Sequence, residues 1–162
     1  MQMEKNNCEE CGAELSNGLD CWNTFGAVIA WEAHDPELVA EHFLTVASYN
    51  LQHPSQFADG VIAQLQTGFV GYLDATLTLD QIRSQTRKAF NGSRRVLRPI
   101  EERRPVLRRW PMTIADVYLG DQPKGAAERV RAWAASIRQE LAKVPSLEQA
   151  NAAKSTRRKV KR

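Results

Sequence analysis

Cysteine is scarce in this chain: there are three, all within the first 21 residues, and none after them. Three thiols cannot all pair in disulfides, and their grouping as Cys8-x-x-Cys11 followed by Cys21 favours a metal site over a disulfide framework. Long apolar runs are also missing. Hydrophobic residues make up 43% of the 162 residues, yet the stretch GAVIAW is closed off by Glu32, well short of the roughly 18 residues of a membrane span. The opening MQMEKNNCEE carries acidic side chains and no apolar core, so it does not read as a secretory signal, and a soluble, cytoplasmic protein without a membrane partner is expected. Alternating apolar and polar runs bounded by turns are absent as well. Val and Ile recur instead at helical intervals, which predicts an all-α fold.

The first half of the chain is nearly without basic residues. Residues 1–82 carry only Lys5 against twelve acidic side chains, whereas residues 83–162 carry 21 basic against seven acidic. The overall charge of +3 therefore hides two oppositely charged halves. Two readings follow: a basic surface for nucleic acid, or halves that fold against each other and compensate over a Debye length of roughly 8 Å. The length suits one domain, taken as residues 1–145, with a disordered basic tail over residues 146–162 that ends in KSTRRKVKR.

Residues 1–19 are polar and turn-rich, with Gly12 after the second cysteine, and read as a metal-held loop. Asp20 caps a first helix from Cys21 to about Ala33, in which Trp22, Phe25, Val28 and Ile29 keep helical spacing. Asp35-Pro36 opens a second, since Asp is a good cap and Pro is favoured at the first helical position; it runs to about His53, where Pro54 stops it. Ser55 is the expected cap of a third helix through Phe57, Val61, Ile62, Leu65, Phe69 and Tyr72. The capping box Thr78-Leu-Asp-Gln81 opens a fourth, to about Phe90, closed by Asn91-Gly92. Residues 93–111 are Arg-rich with three prolines and should be an extended connector. Thr113 to Asp116 starts a short helix ending at Gly120, and Ala126 to Lys143 forms the last, with Val130, Trp133, Ile137 and Leu141 on one stripe. The architecture expected is a small helical bundle with the N-terminal zinc-held loop packed on a helical hairpin.

A Cys-x-x-Cys turn followed by glycine is a zinc-knuckle pattern, in which two thiolates converge and turn amides hydrogen-bond to the sulfurs. A thioredoxin-like redox pair needs a preceding strand and a helix starting at the motif, and neither is read here. Cys21 adds a third thiolate at a helix N-terminus, where unsatisfied amides favour its ionised form. The fourth ligand follows from lengths. In an antiparallel hairpin the first helix rises about 18 Å from Cys21, and the second descends as far, reaching that level near His53. His42 lies about 16 Å further back along the same helix and is expected to face the core or the hairpin. His34, in the turn, is expected to be solvated. Cys8, Cys11, Cys21 and His53 are thus the expected ligands of one structural zinc ion, with His42 or water as the alternatives for the fourth position. A closed four-ligand shell supplies folding free energy and does not catalyse. Were water to take a position, catalysis would require a carboxylate, for which Asp20 and Glu14 are nearest in sequence.

Cys8-Glu-Glu-Cys11-Gly12, Cys21-Trp22 and the segment from His42-Phe-Leu-Thr-Val46 to Tyr49-Asn-Leu-Gln-His53-Pro54 resemble the bacterial family called domain of unknown function 5946. Ile114-Ala-Asp116-Val117 and Val130-Arg-Ala-Trp133-Ala134 resemble its C-terminal segments. The chain departs from that pattern at Ala47, where the family has an aspartate, and in a short loop between Cys11 and Cys21. The resemblance supports the metal ligands and implies no activity.

Two functions compete at this level. One is a non-enzymatic, zinc-stabilised helical module that binds a partner. The basic half suits nucleic acid or an acidic protein, through Arg83, Arg87, Lys88, Arg94, Arg95, Arg98, Arg103, Arg104, Arg108 and Arg109, with Phe90 and Trp110 available to stack on bases. The other is a metal-dependent enzyme on a helical bundle, with an open zinc site at His42, His53 and a carboxylate such as Glu41 or Asp59. No nucleophile elbow, phosphate loop or paired-carboxylate motif suggests a third.

Overall fold

A computed structural model of the protein describes residues 6–16, 18–92 and 95–143. The expected domain end at residue 145 and the basic tail over 146–162 lie outside the described residues. Seven α-helices run through the described chain: α1 Cys21–Trp31, α2 Pro36–Ala40, α3 His42–Gln52, α4 Val61–Leu73, α5 Leu79–Ala89, α6 Ile114–Tyr118 and α7 Ala126–Ala142. The all-α expectation holds, and the only sheet among the described residues is a two-residue antiparallel ladder, β1 Asn6–Asn7 with β2 Glu14–Leu15. It is too short to show as alternation in the sequence. None of the described helices is long and apolar enough to cross a membrane.

Asp20, Asp35, Thr78 and Thr113 cap helices where the sequence places them, and Ser55 does not. Asp20 accepts from the Asn23 amide at the start of α1, and Asp35 accepts from the Glu37 and Leu38 amides ahead of Pro36. Both capping boxes form, Thr78 with Gln81 and Thr113 with Asp116, each satisfying amides that a helix start leaves unpaired.

Two expected helices are revised. The helix expected over 36–53 breaks at Glu41, where the Glu41 amide turns back to the Leu38 carbonyl at 2.9 Å in a tightened last turn. Neither Gly nor Pro marks the break. A tertiary contact is made at the break: the Glu41 carboxylate reaches Arg131 of α7 at 2.8 Å. The helix expected from Ser55 starts only at Val61. Residues Pro54–Gln56 form a 3-10 turn, Phe57 pairs with Leu97 of the connector, and the Ala58 amide bonds to the Val96 carbonyl at 2.8 Å. A connector strand captures backbone groups that a helix would otherwise use.

Helix α7 is the spine of the core. Trp133, Val130, Ala134 and Ile137 on one stripe are fully buried, and α3, α6, α4 and α2 pack against that helix. Helix α1 packs on α6, with Trp31 stacked on Tyr118 at 5.6 Å. Full burial of one large apolar side chain such as Ile137 contributes about 1.5–3 kcal/mol. Gln52, also buried, ties the layers together: its amide nitrogen donates to the Met112 carbonyl at 2.8 Å and its oxygen accepts from the Trp133 indole at 3.2 Å. This spans α3, the connector and α7 with a single side chain.

The oppositely charged halves do meet. Asp59 pairs with Arg98, Glu41 with Arg131, and Asp74 with Arg138, so three acidic residues of the first half are matched by arginines of the second.

Candidate metal centre

The four residues expected from the sequence converge. One donor atom each from Cys8, Cys11, Cys21 and His53 lies within 4.8 Å of every other, and no second group of three or more such ligands occurs among the described residues. The β1–β2 ladder fixes the first two. Between its strands the chain turns through Cys8–Gly12, closed by the Cys8 amide on the Ala13 carbonyl at 2.9 Å and the Gly12 amide on the Cys8 carbonyl at 3.1 Å. Gly12 sits at φ +75°, and a Cβ there would press on Arg109 Cγ at 3.3 Å, so glycine suits both the turn and the close approach. Cys21 opens α1, one residue past its cap. His53 is the residue on which α3 ends.

The contacts have the dimensions of a metal shell. A tetrahedral zinc with bonds of about 2.3 Å to sulfur and about 2.0 Å to nitrogen separates two sulfurs by about 3.8 Å, and a sulfur from a nitrogen by about 3.5 Å. The Cys11 and Cys21 sulfurs are 3.6 Å apart, and the Cys8 sulfur lies 3.6 Å from His53 Nε2. The three cysteines are free thiols and form no disulfide. The residues fit a metal ion.

The imidazole is held in the tautomer that a ligand requires. His53 Nδ1 is 2.8 Å from the Tyr49 carbonyl oxygen, which can only accept, so Nδ1 carries a proton and Nε2 is the nitrogen turned to the sulfurs, where an ion would displace any proton it holds. The ring also stacks on Tyr49 at 4.2 Å, and Tyr49 stacks on Phe25 at 4.2 Å. Burial acts most strongly on His53 and favours its neutral form, but hydrogen bonds to the Cys11 and Cys8 sulfurs outweigh it and raise the pKa to about 10 when no ion is bound. Among the thiols, Cys8 is pushed down by hydrogen bonds from Cys11 and then Cys21, helped by the Cys11 backbone amide. Cys21 is pushed up, because it would ionise beside Cys11 and Cys8 in a buried place. Three thiolates this close call for a cation.

Glu10, between the two knuckle cysteines, was not singled out by its sequence position. Its carboxylate accepts from the Ser55 amide at 2.7 Å and the Ser55 hydroxyl at 2.8 Å, while its carbonyl accepts from the Arg108 amide at 2.9 Å. It therefore clamps the knuckle to the turn that follows His53. Its partner lies 45 residues away in sequence, so no local pattern marks it.

The other sequence candidates lie elsewhere. His42 is exposed and not in the core or hairpin as expected; its Nδ1 pairs with Glu32 at 2.7 Å. The cause is that break at Glu41, which leaves His42 at the start of α3. His34 is solvated in its 3-10 turn, as expected. Asp20 serves as the α1 cap, Glu14 lies in β2, Glu41 pairs with Arg131, and Asp59 pairs with Arg98. Trp110 carries the Arg108 guanidinium over one face at 3.9 Å, and Phe90 lines a cleft beside α5.

Fold and site together define a small helical scaffold with a knuckle-type Cys3His cluster at one end. Residues 6–142 match the model of a family of unknown function, DUF5946, and the chain belongs to that family. No curated protein and no solved structure matches it.

Proposed function

We propose that Cys8, Cys11, Cys21 and His53 hold one zinc ion, and that the protein is a non-enzymatic, zinc-stabilised helical module acting through a binding partner. The observation that carries this reading is the set of four donors within 4.8 Å, with His53 Nε2 free to coordinate. Zinc in such a shell supplies folding free energy and leaves no position for substrate. The chain's own residues do the rest: the knuckle amides and Glu10 orient the cysteines, and the Tyr49 carbonyl orients the histidine. Free thiols are consistent with a reducing, cytoplasmic setting.

The enzyme alternative has less support, because His42, Glu41 and Asp59 are each engaged away from His53. The test is metal content together with X-ray absorption at the metal edge. One zinc per chain with three sulfurs and one nitrogen supports the module. A shell of nitrogen and oxygen overturns it.

The partner class proposed is nucleic acid or an acidic protein. Cross-pairing removes some of the basic half from consideration, but Lys88, Arg95 and Arg109 make no ion pair among the described residues. Binding through phosphates should weaken steeply with salt. Absence of any binding to nucleic acid in an anisotropy titration at low salt removes that half of the proposal.

A further inference from the structure

Away from the metal centre, a cleft of about 640 Å³ opens between α3, α4 and α5. That volume lies within the roughly 300–1,000 Å³ of small-molecule sites. One wall is mostly apolar: Val39, Phe43 and Val46 come from the α2–α3 arm and Leu65 from α4, with His42 and Gln64 as its polar members. The opposite wall is α5, which faces the cleft with Ile82 and Phe90 but also with Arg83 and Arg87, one turn apart. No carboxylate lines it.

The walls are set by contacts that need no ligand. Gly68 of α4 faces Ile82 so closely that an added Cβ would meet Ile82 Cγ2 at 3.1 Å, and Gly71 leaves no room for a Cβ beside Leu77, just ahead of α5. These glycines fix how near α5 lies to α4. Phe43 is held edge-on by Tyr72 at 5.2 Å. The cationic groups, in contrast, are poorly satisfied. Arg83 has only an exposed contact with Asp80 at 3.3 Å, and Arg87 makes no ion pair among the described residues. A preformed apolar cleft bordered by two underused guanidinium groups is complementary to a molecule with an apolar body and one anionic end.

We propose that this cleft binds an amphipathic organic anion, a carboxylate on an apolar body of about medium-chain acyl size, with the head on Arg83 and Arg87 and the body against Phe43, Val46, Leu65 and Ile82. The site is separate from the metal centre and does not depend on its occupant.

The probe is sodium decanoate, titrated by calorimetry into the full-length, metal-loaded protein below its micellar concentration, with decanol and decylamine as controls. Decanoate should bind at one saturable site, about tenfold tighter than decanol, and decylamine should not bind. The Arg83→Gln/Arg87→Gln variant should lose the preference for decanoate over decanol while its melt and metal content stay unchanged. Leu65→Trp should fill the cleft and abolish binding of both. Equal affinity for decanoate and decanol in the unmodified protein overturns the assignment, as does undiminished decanoate binding after both arginines are replaced. Those two outcomes are read on the unmodified protein and on a surface variant, so they decide the matter even if Leu65→Trp does not fold. Capture of an acidic amphipathic peptide without any decanoate binding overturns it too, in favour of a protein partner.

Discussion

His53 and Tyr49 are tied one helical turn apart, with the imidazole Nδ1 2.8 Å from the Tyr49 carbonyl and the two rings stacked at 4.2 Å. The last turn of α3 thus aims the histidine before any ion arrives, so part of the cost of ordering a ligand is met by the helix itself.

From this, His53→Ala should lower zinc affinity and melting temperature without complete loss of metal, since three thiolates remain and water can take the vacated position. His42→Ala should leave the zinc bound. Competitive chelator titration separates the two variants. Release of zinc by His42→Ala and not by His53→Ala would exclude the ligand set proposed here.

His42→Ala should still be costly to stability. The Glu32 side chain is only 9% exposed and one of its oxygens already lacks a partner, so removing His42 strips the other. A buried acceptor left unsatisfied costs about 1–3 kcal/mol. Denaturant melts should show Glu32→Gln/His42→Ala to be less destabilised than the sum of the single variants. Strict additivity would mean that the pair does not interact.

Glu10→Ala removes no metal ligand, yet it breaks both bonds to Ser55. Its expected effect is about a 10- to 100-fold loss of zinc affinity, the range for groups that orient ligands. Ser55→Ala, which keeps the amide bond, should lose less. If Glu10→Ala leaves the chelator titration unchanged, the clamp has no bearing on the metal.

Trp133→Phe keeps most of the buried ring but leaves Gln52 Oε1 without its donor. The expected loss is about 1–3 kcal/mol, against about 3–5 kcal/mol for Trp133→Ala. Chemical denaturation compares them; a Trp133→Phe variant as stable as the unmodified protein would show that the indole hydrogen bond contributes nothing beyond volume.

What could be read from the sequence was whatever is encoded locally. Asp20, Asp35, Thr78 and Thr113 cap the helices because capping depends on residues two or three positions away. His53 is placed near Cys21 by helix lengths alone, and the two do converge even though the helix breaks at Glu41. Long-range choices were illegible. The start of α4 follows the pairing of Phe57 and Ala58 with the connector, and His42 turns out to pair with Glu32, contacts that no local pattern marks. Glu10 was missed for the same reason, since its meaning lies in Ser55, 45 residues away.

The knuckle is finished by residues made long after it. During synthesis at about 5–20 residues per second, Cys8, Cys11 and Cys21 precede His53 and Ser55 from the ribosome by seconds, and the connector backbone that bonds to Glu10 comes later still. For that interval the three thiols exist without their imidazole, their clamp or their cover, exposed to oxidation and to stray metals. The reliability with which this protein matures therefore depends on the redox and metal conditions met by the segment from Cys8 to Cys21, before most of the helical core exists to protect it.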